Sequence, residues 1–100
     1  MIQVNGTVRL ARDLDEATLR VLTTMIEASR DEDGCLHYAY ARDLLDPATM
    51  VILEHWRDQA ALDRHFAMPH MATFRAALAE SGAIASMDVR AFDTNEGRAL

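Results

Sequence analysis

A chain of 100 residues, half of them apolar, makes one small folded domain rather than a disordered segment. A formal net charge of −6, with ten scattered arginines and no lysine, argues against nucleic acid and against anionic membrane surfaces, which call for clustered cations. The single Cys35 allows no internal disulfide and points to a reducing cytoplasm, and neither a secretory leader nor a membrane-length apolar run is expected.

Ile2 to Leu10 alternates with period two, which predicts a strand with Ile2, Val4, Val8 and Leu10 on one face and Gln3, Asn5, Thr7 and Arg9 on the other. Gly6 in mid-strand signals a bulge or a close approach by another group. Asp13-Leu14-Asp15-Glu16 reads as a capping box with Asp in the leading position. The helix that follows places Leu14, Thr18, Val21, Leu22, Met25 and Ile26 on one face and ends near Arg30. An acidic turn, Asp31-Glu32-Asp33-Gly34, leads into a second strand over Cys35 to Arg42. Strict alternation there sets Cys35, His37, Ala39 and Ala41 against Leu36, Tyr38 and Tyr40.

Asp43 to Pro47 forms a hairpin loop, and a third strand runs from Met50 to Trp56. Ile52, Glu54 and Trp56 share one of its faces, and Val51, Leu53 and His55 share the other. Asp58 is a helix N-cap, and two short helices are predicted near 59–67 and 70–81, with Pro69 in the first turn of the second and Gly82 as its stop. Ala83 to Phe92 is a fourth strand. Residues 1–93 make the domain, and the small polar residues 94–100 are expected either to lack order or to reach a partner subunit. The order is β-α-β-β-α-β with the second helical region broken in two. This is the α+β, ferredoxin-like pattern: a four-stranded antiparallel sheet with helices on one face. Both faces of the third strand are largely apolar, so the face without helices is expected to be covered by a second copy of the same sheet, giving a homodimer.

The segment Thr49 to Leu78 holds the only Trp and three of the four His, and most candidate site residues fall in it. Trp56 is either core or a cavity wall. Glu54, a carboxylate in mid-strand, is either bonded to an arginine or acts as a base or as an acceptor for a substrate hydroxyl. His65 and His70 are five apart across a helix break, which is not a helical metal pair, and no metal site is expected. His70 either lines a cleft or bonds backbone at its helix start. His37 and His55 fall on the face expected to meet the partner sheet. Cys35 reads as a small buried apolar residue. With Leu62, His65 and Phe66 on one helical face and His70 and Phe74 on the next, the expectation is a cavity between sheet and helices lined by Trp56, His65, His70 and Phe74. No glycine-rich phosphate loop follows the first strand, so no flavin or nucleotide is implied.

Glu54-His55-Trp56, Ala61-Leu62, His65 and Pro69-His70-Met71, together with Glu32-Asp33-Gly34-Cys35-Leu36-His37-Tyr38 and Asp46-Pro47, resemble the antibiotic biosynthesis monooxygenase family over roughly Ile2 to Phe92. The motifs are nearest to members provisionally assigned as quinol monooxygenases. The resemblance implies a dimer whose two sheets close into an α+β barrel. It also implies an oxygenase without cofactor, taking dioxygen and a small phenolic, quinol or polyketide-like aromatic substrate. On that reading His65, His70 and Glu54 are catalytic, and Trp56, Phe66, Phe74, Tyr38 and Asn5 bind substrate. A small-molecule-binding or signal-degrading relative on the same fold is the alternative. Haem-degrading relatives use an Asn on the first strand and a Trp and a His on the helices. Here His65 and Arg75 stand where that Trp and His would be, a departure that argues against haem.

Overall fold

The computed structural model describes residues 1–100, and in it the first strand is buried with the period its sequence implies. Ile2, Val4, Val8 and Leu10 lie under helices, and the polar residues between them face away. The elements are β1 (Ile2–Leu10), α1 (Glu16–Arg30), β2 (Cys35–Arg42), β3 (Thr49–Trp56), α2 (Gln59–Ala67), α3 (Pro69–Ser81) and β4 (Ile84–Asp93). The strands form one antiparallel sheet in the order β2-β3-β1-β4, with all helices on one face. This is the ferredoxin-like fold read from the sequence, with its second helix in two pieces. Residues 94–100 have no regular secondary structure. No helix is long and apolar enough to cross a membrane.

Two local readings are corrected. The cap of α1 is Asp15, not Asp13: its carboxylate accepts from the Thr18 N–H at 2.7 Å. Starting there leaves Leu14 ahead of the cap, where it packs against the core. Glu16 then opens the helix, too early to close a capping box, and acts only through the helix dipole. In β2, Cys35 pairs with Trp56 but His37 pairs with His55, so the register slips at Leu36. Cys35 therefore joins Tyr38 on the helix-covered face, while His37 stays on the open one.

The core gathers Leu22 and Met25 from α1, Leu62 from α2 and Met71 and Phe74 from α3 over the buried side chains of β1 and β3. Each such side chain contributes roughly 1.5–3 kcal/mol on burial. Gly6 is a site of close approach, as expected, since a Cβ there would lie 3.1 Å from side-chain atoms of Ile52 and Val89. The break between α2 and α3 comes at Met68, whose extended ψ of 142° starts α3 with Pro69 in its first turn. Gly82, left-handed at φ 66°, ends that helix.

The turn after α1 is clamped from both sides. Gly34 sits at φ 87°, and a Cβ there would be 2.6 Å from the Cβ of Ala61. Its carbonyl accepts from the Arg57 N–H at 2.8 Å, and Arg57 reaches back to Asp33 at 3.2 Å. The turn is thereby pressed onto the start of α2, which swings Glu32 inward. Gly34→Ala must combine a left-handed alanine with a collision against the first turn of α2. It is expected to lower stability by roughly 2–4 kcal/mol, read as a shift in the urea midpoint; an unchanged midpoint would show that the turn is not clamped.

Candidate functional site

Glu32 arrives from that turn with its side chain only 6% exposed, and its Oε2 accepts from two imidazoles. His65 Nδ1 on α2 lies 2.6 Å away and His70 Nε2 on α3 lies 2.9 Å away. Ser29 Oγ is 3.4 Å from the same His70 nitrogen. A carboxylate removed from water needs such partners, and two imidazole N–H groups supply them. The bond assigns the His65 proton to Nδ1, leaving Nε2 as a lone pair. Burial pulls the His65 pKa below the ordinary histidine value, against the upward pull of Glu32, so the ring is neutral at pH 7.

Nε2 of His65 has no hydrogen-bond partner in the protein, yet no fully buried polar side-chain atom lacks one. His65 is among the residues that line a cavity of about 530 Å³. The cavity lies between the sheet and α2–α3. Tyr38, Tyr40, Ile52 and Glu54 form its floor, Phe66, Phe74 and Leu78 its helical wall, and Arg75 part of its rim. It opens beside β4, where Met87 and Val89 are half-exposed.

Glu54 is buried on the same floor. Its Oε1 accepts from Trp56 Nε1–H at 2.9 Å, and no arginine reaches it, so the expected ion pair is absent and an indole takes its place. Burial pushes its pKa up to about 7; the indole bond works against this and the charge of Glu32 adds to it. The cavity thus presents a neutral imidazole and a carboxyl poised near neutrality, two groups of the kind that move protons.

The remaining sequence candidates separate by position. Phe74 and Phe66 line the cavity, Phe66 from its exposed mouth. Tyr38 lines it with its ring, but its hydroxyl is turned to Met25 Sδ at 3.2 Å, and burial raises its pKa. Trp56 is fully buried and sits one layer below, with its ring centroid 4.6 Å from that of His65. His70 also stays outside the lining; it bonds Glu32 rather than backbone. Asn5 lies on the opposite face of the sheet, bonded to Gln3, and cannot touch a ligand in this cavity. Sequence reasoning missed Tyr40 and Glu32. Tyr40 shares the alternation of Tyr38 and could have been found from it. Glu32 is one of three acids in a four-residue turn, and only the fold distinguishes it.

Glu32, His65 and His70 offer three metal-type ligand atoms within 4.8 Å of one another. The 2.6 and 2.9 Å separations are hydrogen-bond lengths. A shared tetrahedral zinc, bonded at about 2.0–2.2 Å to each, would hold the oxygen and the nitrogens roughly 3.3 Å apart. The cluster is joined by hydrogen bonds at these distances.

The sequence pattern of the antibiotic biosynthesis monooxygenase family matches residues 1–77. An uncharacterized protein of Synechocystis is 36% identical over 73 residues, which are 73% of this chain and 50% of that protein. A provisionally named monooxygenase of Mycobacterium tuberculosis, Rv0793, is 35% identical over 68 residues, 68% of this chain and 66% of its own length. The chain thus spans about half to two thirds of the curated relatives it matches. The solved structure of Rv0793 superposes with a TM-score of 0.83 at 26% identity, covering 98% of each chain. So does a Deinococcus radiodurans structure described provisionally as an antibiotic biosynthesis monooxygenase, at TM-score 0.83 and 26% identity over 100% of this chain and 98% of that one.

The raised pKa of Glu54 has a consequence for stability. The folded protein holds a proton that the unfolded chain has lost between pH 4.5 and about 7. The stability this group contributes is complete below the lower value and is lost as pH rises through the upper one. The loss is roughly 3 kcal/mol at most. Glu54→Gln keeps an acceptor for Trp56 and cannot ionise. Its stability is expected to gain on wild type between pH 5 and pH 8, as measured by thermal or urea melts across that range. Parallel curves would show that water or a cation reaches the carboxylate.

Proposed function

The chain belongs to the antibiotic biosynthesis monooxygenase family, and from that premise we propose that it is a cofactor-independent monooxygenase acting on a phenolic, quinol or polyketide-like small molecule. The observation that carries this reading is a neutral His65, held by Glu32 through Nδ1 and with no protein partner at Nε2, in the lining of a largely apolar cavity that also holds Glu54.

The chemistry needs little else. A substrate phenol gives its proton to His65 Nε2, and Glu54 in the lining of the same cavity takes or returns a second one. The phenolate ring is electron-rich enough to pass an electron to dioxygen, a step that a closed-shell phenol makes only slowly. The radical pair combines at a ring carbon to a hydroperoxide. Loss of the ring proton and cleavage of the O–O bond leave a quinone carbonyl, and the second oxygen departs as water. The ring supplies all four electrons, so phenol and dioxygen give quinone and water with no external reductant. The walls contributed by Phe74, Leu78 and Ile52 hold the ring near the base and keep water from the radical pair.

Val51 and Leu53 of β3 are half-exposed on the open face of the sheet, with Ala39 and Ala41 of β2 beside them. A second copy laid against that face would cover them, so the working unit is a homodimer. Cys35 forms no disulfide, and burial pushes its thiol up to about 11, which suits a reducing compartment such as the cytoplasm.

Metal-free protein is expected to consume oxygen on a panel of hydroquinones and naphthols, with and without a ring carboxylate, and His65→Ala to slow that turnover by about 10²–10⁴-fold while the fold is retained. Full activity in the variant would make the histidine structural, and no oxygen uptake on any member of the panel would favour a binding or signal-degrading role. Leu53→Glu is expected to yield monomer by sedimentation at micromolar concentration, because it buries an unpaired charge between sheets; a wild type that is itself monomeric overturns the assembly.

A further inference from the structure

Among ten arginines in this acidic chain, six hold a carboxylate: Arg9, Arg12, Arg20, Arg57, Arg64 and Arg90. Arg75 does not, although it stands at the rim of the cavity. Its neighbours one turn away on α3 are Met71, Ala72, Leu78 and Ala79, so no i,i+3 or i,i+4 partner is available. Its one hydrogen bond to the protein runs 3.3 Å from Nη2 to the carbonyl of Phe66, which leaves most of the guanidinium fork unused. It is also near enough to His65 for its charge to help disfavour the imidazolium. The cavity is otherwise apolar apart from His65 and the two tyrosine edges and Glu54 of its floor.

An apolar slot with one free, fork-shaped cation at its mouth and proton-handling groups within is built for a molecule of matching polarity. We propose that the cavity selects aromatic ligands carrying a permanent anionic substituent, a carboxylate, sulfonate or phosphate, and that Arg75 is the residue that reads it. The ring enters between Ile52 and Phe74, and the anion stays at the rim against the guanidinium, in bidentate contact that a lysine would reproduce only as a point charge. This rests on the cavity being the substrate site, as in the oxygenase reading, and sharpens it. The substrate would be a hydroxylated aromatic acid rather than a neutral quinol. The anion would also place the ring, so that its hydroxyl meets His65 and not the solvent.

The test is calorimetric binding of 1-naphthoate against its neutral analogue 1-naphthalenemethanol, at pH 6, where naphthoate is ionised and Glu54 keeps its proton. Wild type is expected to bind the carboxylate about 10-fold more tightly, as a charge-assisted bond supplies. That preference should shrink with added salt. Arg75→Gln should abolish it by weakening naphthoate alone, with the alcohol unchanged. Arg75→Lys should keep part of it. Arg42→Gln, which removes an equal charge from the far end of β2, should keep all of it. A preference that survives Arg75→Gln, a wild type with no preference, or a cavity that binds neither compound overturns the proposal. Turnover is not needed for any of these readings. Selective binding by a protein that oxidises no phenol would refute the oxygenase and leave Arg75 its role. Oxidation of neutral quinols without anion preference would do the reverse.

Discussion

One oxygen atom of Glu32 holds three parts of the chain together. Its carboxylate is nearly sealed from water, and a charge so placed is tolerable only when hydrogen bonds replace its hydration. His65 and His70 supply them from two different helices, and Ser29 stands behind His70 from a third. The turn after α1, the body of α2 and the start of α3 are therefore fixed relative to one another by one acceptor. The cavity wall is made of those same helices, so its shape depends on the same bond. Removing the acceptor would leave the Nδ1–H of His65 without a partner and His70 Nε2 with only the 3.4 Å contact to Ser29.

The two buried acids lie in one region of the molecule and differ in chemistry. Glu32 is held by two imidazole nitrogens. Glu54 has a single indole N–H and an otherwise apolar setting, and burial moves it toward neutrality. The bond to Glu32 fixes which nitrogen of His65 carries the proton, and Glu54 lies in the lining of the cavity that His65 also lines. The bond of Trp56 to Glu54 and its contact with the His65 ring, which is itself bonded to Glu32, link the two acids. That is why the indole matters here although it does not touch the cavity.

Much of this was readable in the chain. Period-two alternation in β1 and β3 fixed which side chains go under the helices, because a strand has only two faces and one of them was needed for the core. The helix stripes of α2 and α3 placed Leu62, His65 and Phe74 correctly for the same reason. What failed was local counting where an extra residue intervened. The slip at Leu36 moved Cys35 to the other face, and the late start of α1 moved the cap from Asp13 to Asp15. Glu32 could not be found at all, since it meets its histidines across 33 and 38 residues and nothing in an acidic turn marks one carboxylate as buried. Glu54 was visible as an anomaly, a charge in a buried strand. Its partner was misjudged because an indole two residues away on the same face is closer than any arginine.

The single indole of this protein also makes it self-reporting. Trp56 is completely buried, its N–H rests on a carboxylate that changes charge near neutral pH, and an imidazole lies face-near at 4.6 Å. With no second tryptophan to dilute it, the indole emission, excited beyond the absorption of the two tyrosines, comes from this one ring. A charge appearing at Glu54 shifts the energy of the excited indole through its field, and a protonated imidazole so close is an efficient quencher. The colour and the brightness of that light therefore register two different protons, and a ligand settling over Glu54 and His65 would alter both without any label being attached.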